Sequence, residues 1–293
     1  MKRTATLLLG SLLVPLTACG PGRDNRIVIG SKNFTEQVIL AELLAQHIEA
    51  RTGLEVERKL NLGGTFICHQ ALRTGQLDLY VEYTGTALTA ILKAGVVRDP
   101  EEAYRQVKES YARQFNVAWL APLGFNDTFA IIVRGEDARR LNLTTITDVV
   151  PHAPQWRAGS GHEFMERADG YRGLVEAYGL RFERPPLTLQ LGLLYRALKE
   201  GEVDIVAGNS TDGVIDALGL VILQDDRRYF PPYDAAPVVR RETLERFPQL
   251  RQALSELAGK ISEEDMRRMN FAVDGEQRDV KEVVAEFLRR KGL

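Results

Sequence analysis

The sequence predicts an α/β protein in which strands and helices alternate along the chain. Runs of β-branched and aliphatic residues at 27–29, 54–60 and 77–83 have the character of strands. Between them, apolar residues recur at helical spacing, first after Asn33 and then after Gly63. Asn33, followed by Glu36, is predicted to cap the first helix. The order β-α-β-α-β is typical of a mostly parallel sheet with helices on both faces.

A second set of the same kind follows farther along the chain. Strands are predicted at 129–133, 187–189, 203–207 and 220–223, with helices at 147–150 and 193–200. Either Ser210 or Asp212 is predicted to cap another helix that ends near Leu218. From about Glu242 the chain is predicted to be helical, charge-rich and solvated. The sequence therefore predicts two units of similar construction.

A short motif occurs once in each unit. Gly75-Gln76-Leu77-Asp78 leads into one predicted strand, and Gly201-Glu202-Val203-Asp204 leads into another. Each strand is followed by a polar turn that contains glycine. Ligands of open α/β sheets bind beyond the carboxyl ends of the strands, and pockets often form between domains. Two units that present such turns are therefore expected to form a cleft.

Composition and charge exclude several classes of protein. The chain has 293 residues, with 38 Lys and Arg against 40 Asp and Glu, which leaves no basic excess for binding nucleic acid. Two cysteines are too few for a disulfide-rich scaffold or a multi-cysteine zinc site. No run reaches the ~20 apolar residues that a membrane-spanning helix needs.

The N-terminus is predicted to be a targeting segment. Lys2 and Arg3 precede an apolar run that is too short to span a bilayer, which is typical of a signal peptide. The ending Leu16-Thr17-Ala18-Cys19 resembles a bacterial lipobox. That resemblance implies removal of residues 1–18 and lipidation of Cys19, followed by a tether over 19–26; the alternative is a plain signal peptide with a chance cysteine. Two or three acyl chains would anchor the protein durably to a membrane.

The second cysteine is predicted to be buried and inert. Cys68 lies in a helical apolar pattern, where a free cysteine acts as a small apolar side chain. A catalytic pair with His69 is not expected, since adjacent helical positions point in different directions.

Several motifs in one order resemble those of a known family. They are residues 30–37, 78–86, 210–213, 230–233 and 236–239. Together they resemble the substrate-binding proteins of osmoprotectant ABC importers, which take up glycine betaine, choline, carnitine and related quaternary ammonium compounds. The similarity runs from Ile27 to about Asn270.

The resemblance implies a type II periplasmic-binding-protein fold, with two α/β lobes and a ligand cleft between them. The expected lobes are 27–128 with 229–293, and 129–228. The chain would cross between the lobes near 126–129 and again near 224–233.

The resemblance also implies a box of aromatic rings around the ligand. A trimethylammonium group has charge but no N–H to donate, so it suits ring faces, at ~0.5–2 kcal/mol each. Tyr83 and Tyr233 match two positions of the family's box, and Phe129 matches a third that is usually Tyr. The fourth position, usually Tyr, is Asn209 here. An amide offers no ring, which weakens the expectation of glycine betaine itself and leaves open a larger betaine with a polar group.

The other predicted ligand-binding residues are polar. By resemblance, Arg167 would bind the carboxylate of a betaine, because a guanidinium pairs with two carboxylate oxygens. Lys32 and Thr86 match positions that help in the family. Since choline has no carboxylate, Arg167 and Lys32 favour a zwitterion.

We therefore predict an extracytoplasmic, lipid-anchored, monomeric binding protein that closes on a quaternary ammonium solute and delivers it to an ABC permease. We expect no cofactor, metal or nucleic acid. A sensor with the same cleft, or a binder of another amine or an ergothioneine-like zwitterion, is the alternative. An enzyme is not expected, because Ser160, His162 and Glu163 are close in sequence whereas catalytic triads are assembled in space.

Overall fold

The computed structural model describes residues 25–293, so the predicted signal peptide and Cys19 lie outside the described residues. The strands are β1 (Arg26–Gly30), β2 (Glu55–Lys59), β3 (Leu79–Tyr83), β4 (Val117–Trp119), β5 (Phe129–Arg134), β6 (Ala158–Ser160), β7 (Leu187–Thr188), β8 (Ile205–Asn209), β9 (Leu220–Leu223) and β10 (Ala235–Arg240). The helices are α1 (Thr35–Thr52), α2 (Thr65–Arg73), α3 (Thr84–Thr86), α4 (Pro100–Phe115), α5 (Gly135–Leu141), α6 (His162–Glu166), α7 (Tyr171–Tyr178), α8 (Leu191–Lys199), α9 (Val214–Ala217), α10 (Arg241–Arg246), α11 (Gln249–Ser255), α12 (Glu263–Asp274) and α13 (Val280–Lys291).

The strands form two five-stranded sheets of matching order. Sheet 1 runs β2-β1-β3-β10-β4, and sheet 2 runs β7-β6-β8-β5-β9. The chain passes from sheet 1 to sheet 2 between Trp119 and Phe129, and returns between Leu223 and Ala235. The fold is therefore α/β with two lobes, as predicted.

Each sheet is mixed, whereas the sequence pattern predicted mostly parallel sheets. In sheet 1, β10 is antiparallel to both β3 and β4, and in sheet 2, β5 is antiparallel to both β8 and β9. The reason lies in the connections, because β5 and β10 are the strands by which the chain enters each sheet from the other one. The remaining pairs, such as β1 with β2 and β6 with β8, are parallel.

The repeated motif holds the centre of each sheet. Asp78 Oδ2 accepts a hydrogen bond from the backbone N–H of Val28, at 2.8 Å. Asp204 Oδ2 accepts an equivalent bond from the backbone N–H of Arg157, also at 2.8 Å. Each aspartate thus joins the start of one strand to its parallel neighbour, which explains why the motif occurs twice.

The C-terminal helices complete the lobe built on sheet 1. Helix α1 is buried on nearly all sides, including Leu40, Leu43 and Leu44, because it packs between the sheet and α11, α12 and α13. Val284 and Phe287 of α13 are also buried there. The segment after Glu242 is helical as predicted, but one face of it is core, so the expectation of a merely solvated segment was wrong.

Two predicted helix caps are wrong. Helix α1 begins after Phe34, with no side-chain cap, and Glu36 is buried in contacts with other parts of the chain. Helix α9 begins after Gly213, again without a side-chain cap. Asp212 instead accepts a hydrogen bond from the backbone N–H of Asn209, and Ser210 accepts one from that of Thr128. The side chains of Glu36, Ser210 and Asp212, which local sequence assigned to the caps, make other hydrogen bonds instead.

Cys68 is fully buried, as predicted, and burial raises the pKa of its thiol to about 12. No helix among residues 25–293 is long and apolar enough to cross a membrane.

Candidate functional site

The predicted ligand-binding residues lie where strands and loops of the two lobes face each other. Tyr83 ends β3, and Lys32 follows the end of β1. Tyr233 precedes β10 and belongs with the same lobe, whereas Phe129 begins β5 of the other. Phe129 and Asn209 are direct neighbours in the pairing of β5 with β8. Lys32, Thr86, Tyr83, Tyr233 and Arg167 are all buried, and Phe129 and Asn209 are partly buried.

One group of aromatic rings surrounds Arg167. The ring centroids of Phe129 and Tyr233 are 5.8 Å apart in an edge-to-face arrangement. The Arg167 guanidinium carbon lies 4.8 Å from the Phe129 centroid and 5.6 Å from that of Tyr233. Phe164 and Phe230 extend the group, at 4.8 and 5.9 Å from Phe129. These rings thus already hold a planar cation by cation–π contacts.

Arg167 is held in this place by Asp169, a residue that sequence reasoning missed. Arg167 Nε donates to Asp169 Oδ1 at 2.8 Å, and Arg167 Nη1 donates to Thr86 Oγ1 at 2.9 Å. The hydroxyl groups of Tyr233 and Thr89 donate to Asp169 Oδ2, at 2.6 and 2.8 Å. Because Thr86, Thr89 and Tyr233 come from the lobe of sheet 1, these bonds join the two lobes directly.

The charges of this pair stabilise each other in a buried environment. Burial alone would lower the pKa of Arg167, but the hydrogen bonds and the charge of Asp169 outweigh it and raise that pKa. Burial alone would raise the pKa of Asp169, but Arg167 outweighs it and the pKa is lowered. Both groups are therefore ionised at neutral pH. Removal of either partner would leave a buried, uncompensated charge.

A second group lies around Tyr83. Lys32 Nζ donates to Glu82 Oε1 at 2.6 Å and lies 4.9 Å from the Tyr83 ring centroid. The Tyr83 hydroxyl donates to Glu36 Oε1 at 2.6 Å and accepts a bond from Gln37 Nε2 at 2.9 Å. Among the described residues, no ring contact joins Tyr83 to Phe129 or Tyr233. The single box that was predicted is therefore divided, with Arg167 over Phe129 and Tyr233 and with Lys32 over Tyr83.

Glu163 connects the two groups across the lobes. Its Oε1 lies 3.6 Å from Arg167 Nη1, and its Oε2 lies 3.1 Å from where a Cβ of Gly64 would stand. Burial would raise the pKa of Glu163, but the charges of Lys32 and Arg167 outweigh it and lower that pKa. Gly64 immediately precedes α2, so its lack of a side chain lets the carboxylate approach the start of that helix.

A cluster of carboxyl groups lies beside Tyr83, between the lobes. Glu36 Oε2 accepts from Thr211 Oγ1 at 2.6 Å and from Asn270 Nδ2 at 3.3 Å. Burial raises the pKa of Glu36, and burial together with the charge of Glu36 raises that of Asp127 well above its usual range. Burial also raises the pKa of Asp212 to about 7. The charge on the side of the site next to Asn209 therefore depends on pH, because these carboxyl groups are protonated at low pH and ionised at high pH.

Close packing explains a glycine in the site. A Cβ on Gly85 would lie 2.7 Å from both the Pro232 carbonyl oxygen and the Tyr233 ring. Only glycine therefore lets Tyr233 sit against the turn that follows Tyr83.

Phe129 also borders a cavity of about 570 Å³ beside the crossing segments, lined in part by Asn126, Phe230 and Pro232.

Known proteins resemble this chain over most of its length. Residues 25–290 match the family model described as the substrate binding domain of ABC-type glycine betaine transport system. The carnitine transport binding protein OpuCC of Listeria monocytogenes is 37% identical over 289 residues, which is 98% of this chain and 93% of that protein. The ergothioneine transport permease/ergothioneine binding protein EgtU of Helicobacter pylori is 33% identical over 98% of this chain, but over only 51% of that protein. A crystal structure described as a glycine betaine/carnitine/choline ABC transporter matches with a TM-score of 0.76 and 34% identity, over 91% of this chain and 98% of that one.

Proposed function

Because this chain belongs to the family of substrate-binding domains of ABC-type glycine betaine transport systems, we propose that it captures a quaternary ammonium or betaine-type solute and delivers it to an ABC permease. The family is one of extracytoplasmic solute-binding proteins and not of enzymes. The observation that supports this ligand class best is that rings from both lobes, the partly buried Phe129 and the buried Tyr233, face a cation.

The proposed binding site consists of Lys32, Tyr83, Thr86, Phe129, Arg167, Asn209 and Tyr233. The ligand's ammonium group takes the ring faces that the Arg167 guanidinium covers in this structure, and its carboxylate takes over the guanidinium from Asp169. This exchange needs the lobes to open first, since Arg167 and Tyr233 come from different lobes and both are buried. The ligand adds one positive and one negative charge, so the net charge of the site does not change, and its ammonium group replaces Arg167 as the counter-charge of Asp169.

Hinge closure is the proposed mechanism of capture. A ligand favours closure only by the contacts that it makes better in the closed state. The bonds of Arg167 to Thr86 and of Thr89 to Asp169 span the lobes and supply part of the closing free energy. The lobes are proposed to be 27–128 with 229–293, and 129–228, with the two crossing segments as the hinge.

A second candidate ligand is an ergothioneine-like betaine. Asn209 stands where the family's fourth ring is expected, and its amide can bond a polar group that glycine betaine does not have. The relative from Helicobacter pylori, whose name specifies ergothioneine, supports this candidate. The neighbouring Asp212, with its pKa raised to about 7, can donate or accept a proton there.

A lipid anchor on Cys19 and a monomeric state complete the proposal. The Cys19 anchor predicts an acylated N-terminal peptide in the membrane fraction, which mass spectrometry would detect. An unmodified mature protein in the soluble fraction would contradict it.

A thermal-shift panel tests the proposed ligand class. Glycine betaine, carnitine, choline, proline betaine and ergothioneine are added separately at concentrations from micromolar to millimolar. A ligand that binds only the folded protein raises the melting temperature by mass action. We expect a shift with at least one quaternary ammonium compound and none with alanine or glycerol. No shift with any of the five compounds would contradict the proposal.

A further inference from the structure

One carboxylate between the lobes has cations near it but lacks a hydrogen-bond donor. The Oε1 oxygen of Glu163 is buried, and among the described residues it has no hydrogen-bond partner. Arg167 Nη1 lies 3.6 Å from it, which is too far for a hydrogen bond. Buried polar atoms in folded proteins are nearly always hydrogen-bonded, so this oxygen needs an explanation.

The two cations that keep Glu163 ionised give their hydrogen bonds to other groups. Burial would raise the pKa of Glu163, but the charges of Lys32 and Arg167 outweigh it and lower that pKa. Arg167 Nε, however, donates to Asp169 Oδ1 at 2.8 Å, and Lys32 Nζ donates to Glu82 Oε1 at 2.6 Å. Glu163 is therefore a charged acceptor whose Oε1 is open to a donor from elsewhere.

Two buried hydroxyl groups accompany this carboxylate. Thr65 is the first residue of α2, and its N–H and hydroxyl face Glu163 from the other lobe. Ser160 ends β6, three residues before Glu163. Both residues are only 1% exposed, and in residues 25–293 neither hydroxyl has a hydrogen-bond partner. Three unpartnered polar atoms thus lie at or next to the contact between the start of α2 and α6.

We propose that Thr65, Ser160 and Glu163 form a further subsite, which receives an O–H or N–H group of the ligand close to the ligand's carboxylate. This inference rests on the proposed function, in which Arg167 holds that carboxylate. Because Glu163 Oε1 lies 3.6 Å from Arg167 Nη1, the donor belongs to a substituent near the carboxylate. A hydroxyl there can donate to Glu163 and also accept from Thr65 or Ser160.

The subsite specifies the substrate class more narrowly than the ring faces do. Every trimethylammonium compound fits the rings, but glycine betaine has no O–H or N–H and leaves the three polar groups unpartnered. A betaine with a hydroxyl, such as carnitine, or with a ring N–H, such as ergothioneine, supplies the donor that Glu163 lacks. The preferred substrate is therefore a betaine that carries a hydrogen-bonding substituent.

Calorimetry with matched ligands tests the subsite in the unchanged protein. L-Carnitine and γ-butyrobetaine share the trimethylammonium group, the chain and the carboxylate, and differ only in the hydroxyl of carnitine. Ergothioneine and phenylalanine betaine, whose ring has no N–H, form a second pair. In at least one pair we expect the ligand with the donor to bind about tenfold more tightly or better, because a site built for a ligand hydroxyl or N–H rejects the analogue without it. Equal affinities within both pairs would overturn the inference.

Variants assign the preference to these residues. Glu163→Gln should weaken binding of the ligand with the donor more than that of its partner, and lower the ratio of their affinities about threefold or more. Thr65→Val should act in the same direction. The exposed Glu166 of α6 and Thr74 at the end of α2 provide the matched controls, since Glu166→Gln and Thr74→Val should leave the ratio unchanged.

The outcomes separate this inference from the proposed function. Equal weakening of both ligands by Glu163→Gln would show a merely structural role and overturn the subsite. A preference that is lost in Asn209→Ala but kept in Glu163→Gln and Thr65→Val would also overturn it, because the substituent would then lie at Asn209. If glycine betaine binds as tightly as carnitine and ergothioneine, the proposed function stands and the subsite fails. If no quaternary ammonium compound binds, the proposed function itself fails.

Discussion

The two lobes are built on the same framework but differ where their strands reach the cleft. Asp78 and Asp204 make the same backbone bond. Arg240 and Arg134 donate to the carbonyl oxygens of Leu72 and Leu198, respectively, near the end of the helix that leads into each motif. Counting five residues on from each aspartate, however, reaches Tyr83 in one lobe and Asn209 in the other. The repeat thus retains the residues that hold each sheet together and varies those that are proposed to contact the ligand.

The largest expected effect is on stability, through the shared framework. Replacing Asp78 or Asp204 by Ala leaves a backbone N–H without its partner and should lower the free energy of unfolding by ~1–3 kcal/mol in each case. Urea denaturation of Asp78→Ala, Asp204→Ala and the double variant would measure this. Costs in separate lobes should add if the protein unfolds in one transition.

The exposed Asp216 provides the control for this comparison. Asp216→Ala should change the free energy of unfolding by no more than ~0.5 kcal/mol. If Asp78→Ala and Asp204→Ala also cost so little, the two motifs do not have the structural role that their hydrogen bonds indicate.

The next effect concerns the rings. Tyr83→Ala and Tyr233→Ala should each weaken the binding of a trimethylammonium ligand about tenfold or more, since each removes a desolvated ring face. The variants Tyr83→Phe and Tyr233→Phe keep the face but lose the hydrogen bonds to Glu36 and Asp169. Calorimetry should therefore show a smaller loss for Phe than for Ala. Tyr104→Ala, outside the site, is the matched control and should leave the affinity unchanged. Unchanged affinity in both Tyr83→Ala and Tyr233→Ala would rule out the aromatic cage.

The third effect is a pH dependence that belongs to the side of the site near Asn209. The carboxyl group of Asp212 faces Glu36, Asp127 and Asp274 as well as the Tyr195 hydroxyl, and burial raises its pKa to about 7. Since Glu36 belongs to the other lobe, opening removes its charge from the surroundings of Asp212. Closure then takes up protons, so it is favoured below about pH 7 and loses this contribution as the pH rises through that value.

Glycine betaine keeps its charges across this range, so its affinity reports on the protein. We expect affinity to fall several-fold, roughly threefold to tenfold, between pH 5.5 and 8, and the fall to be smaller in Asp212→Asn. The lowered pKa values of Asp169 and Glu163 keep both groups ionised throughout. An affinity that rises with pH would show that the carboxyl cluster acts instead by attracting the ligand's cation.

The smallest expected effect is a gain. Asn209→Tyr would give the second lobe a ring at the position equivalent to Tyr83 and should tighten glycine betaine binding a few-fold, by about one ring contact. Ergothioneine binding should weaken if the Asn209 amide bonds that ligand. Loss of glycine betaine affinity in the same calorimetric titration would show that Asn209 is used as it stands.

Sequence periodicity was sufficient to predict the strands beside the repeated motif but not β10, the strand by which the chain returns to sheet 1. The run 79–83 has continuous apolar and aromatic character, so β3 was predictable. Strand β10 was not predicted as a strand, because Pro237 interrupts its apolar run. Helix α4 was also not predicted, although Asp99 caps it and Pro100 is its first residue.

The sequence indicated several residues of the candidate site but not the contacts between them. Resemblance drew attention to Arg167 and Tyr233, whereas Asp169, which bonds to both, was missed. Its partners are distant in sequence, because Thr89 is 80 residues away and Tyr233 is 64 residues away. Only the closed arrangement of the lobes brings Asp169 close to Thr89 and Tyr233. No local sequence pattern around Asp169 indicates these contacts.

The cleft is proposed to select a fixed positive charge and not merely a bulky apolar group. Calorimetric titration with glycine betaine and with 3,3-dimethylbutyrate, its neutral carbon isostere at the head group, separates the two because the compounds share shape and carboxylate. We expect glycine betaine to bind at least about tenfold more tightly than 3,3-dimethylbutyrate. If the panel identifies another betaine as the ligand, the same difference is expected between that betaine and its own carbon isostere. Equal affinities for the charged and the neutral head would contradict it.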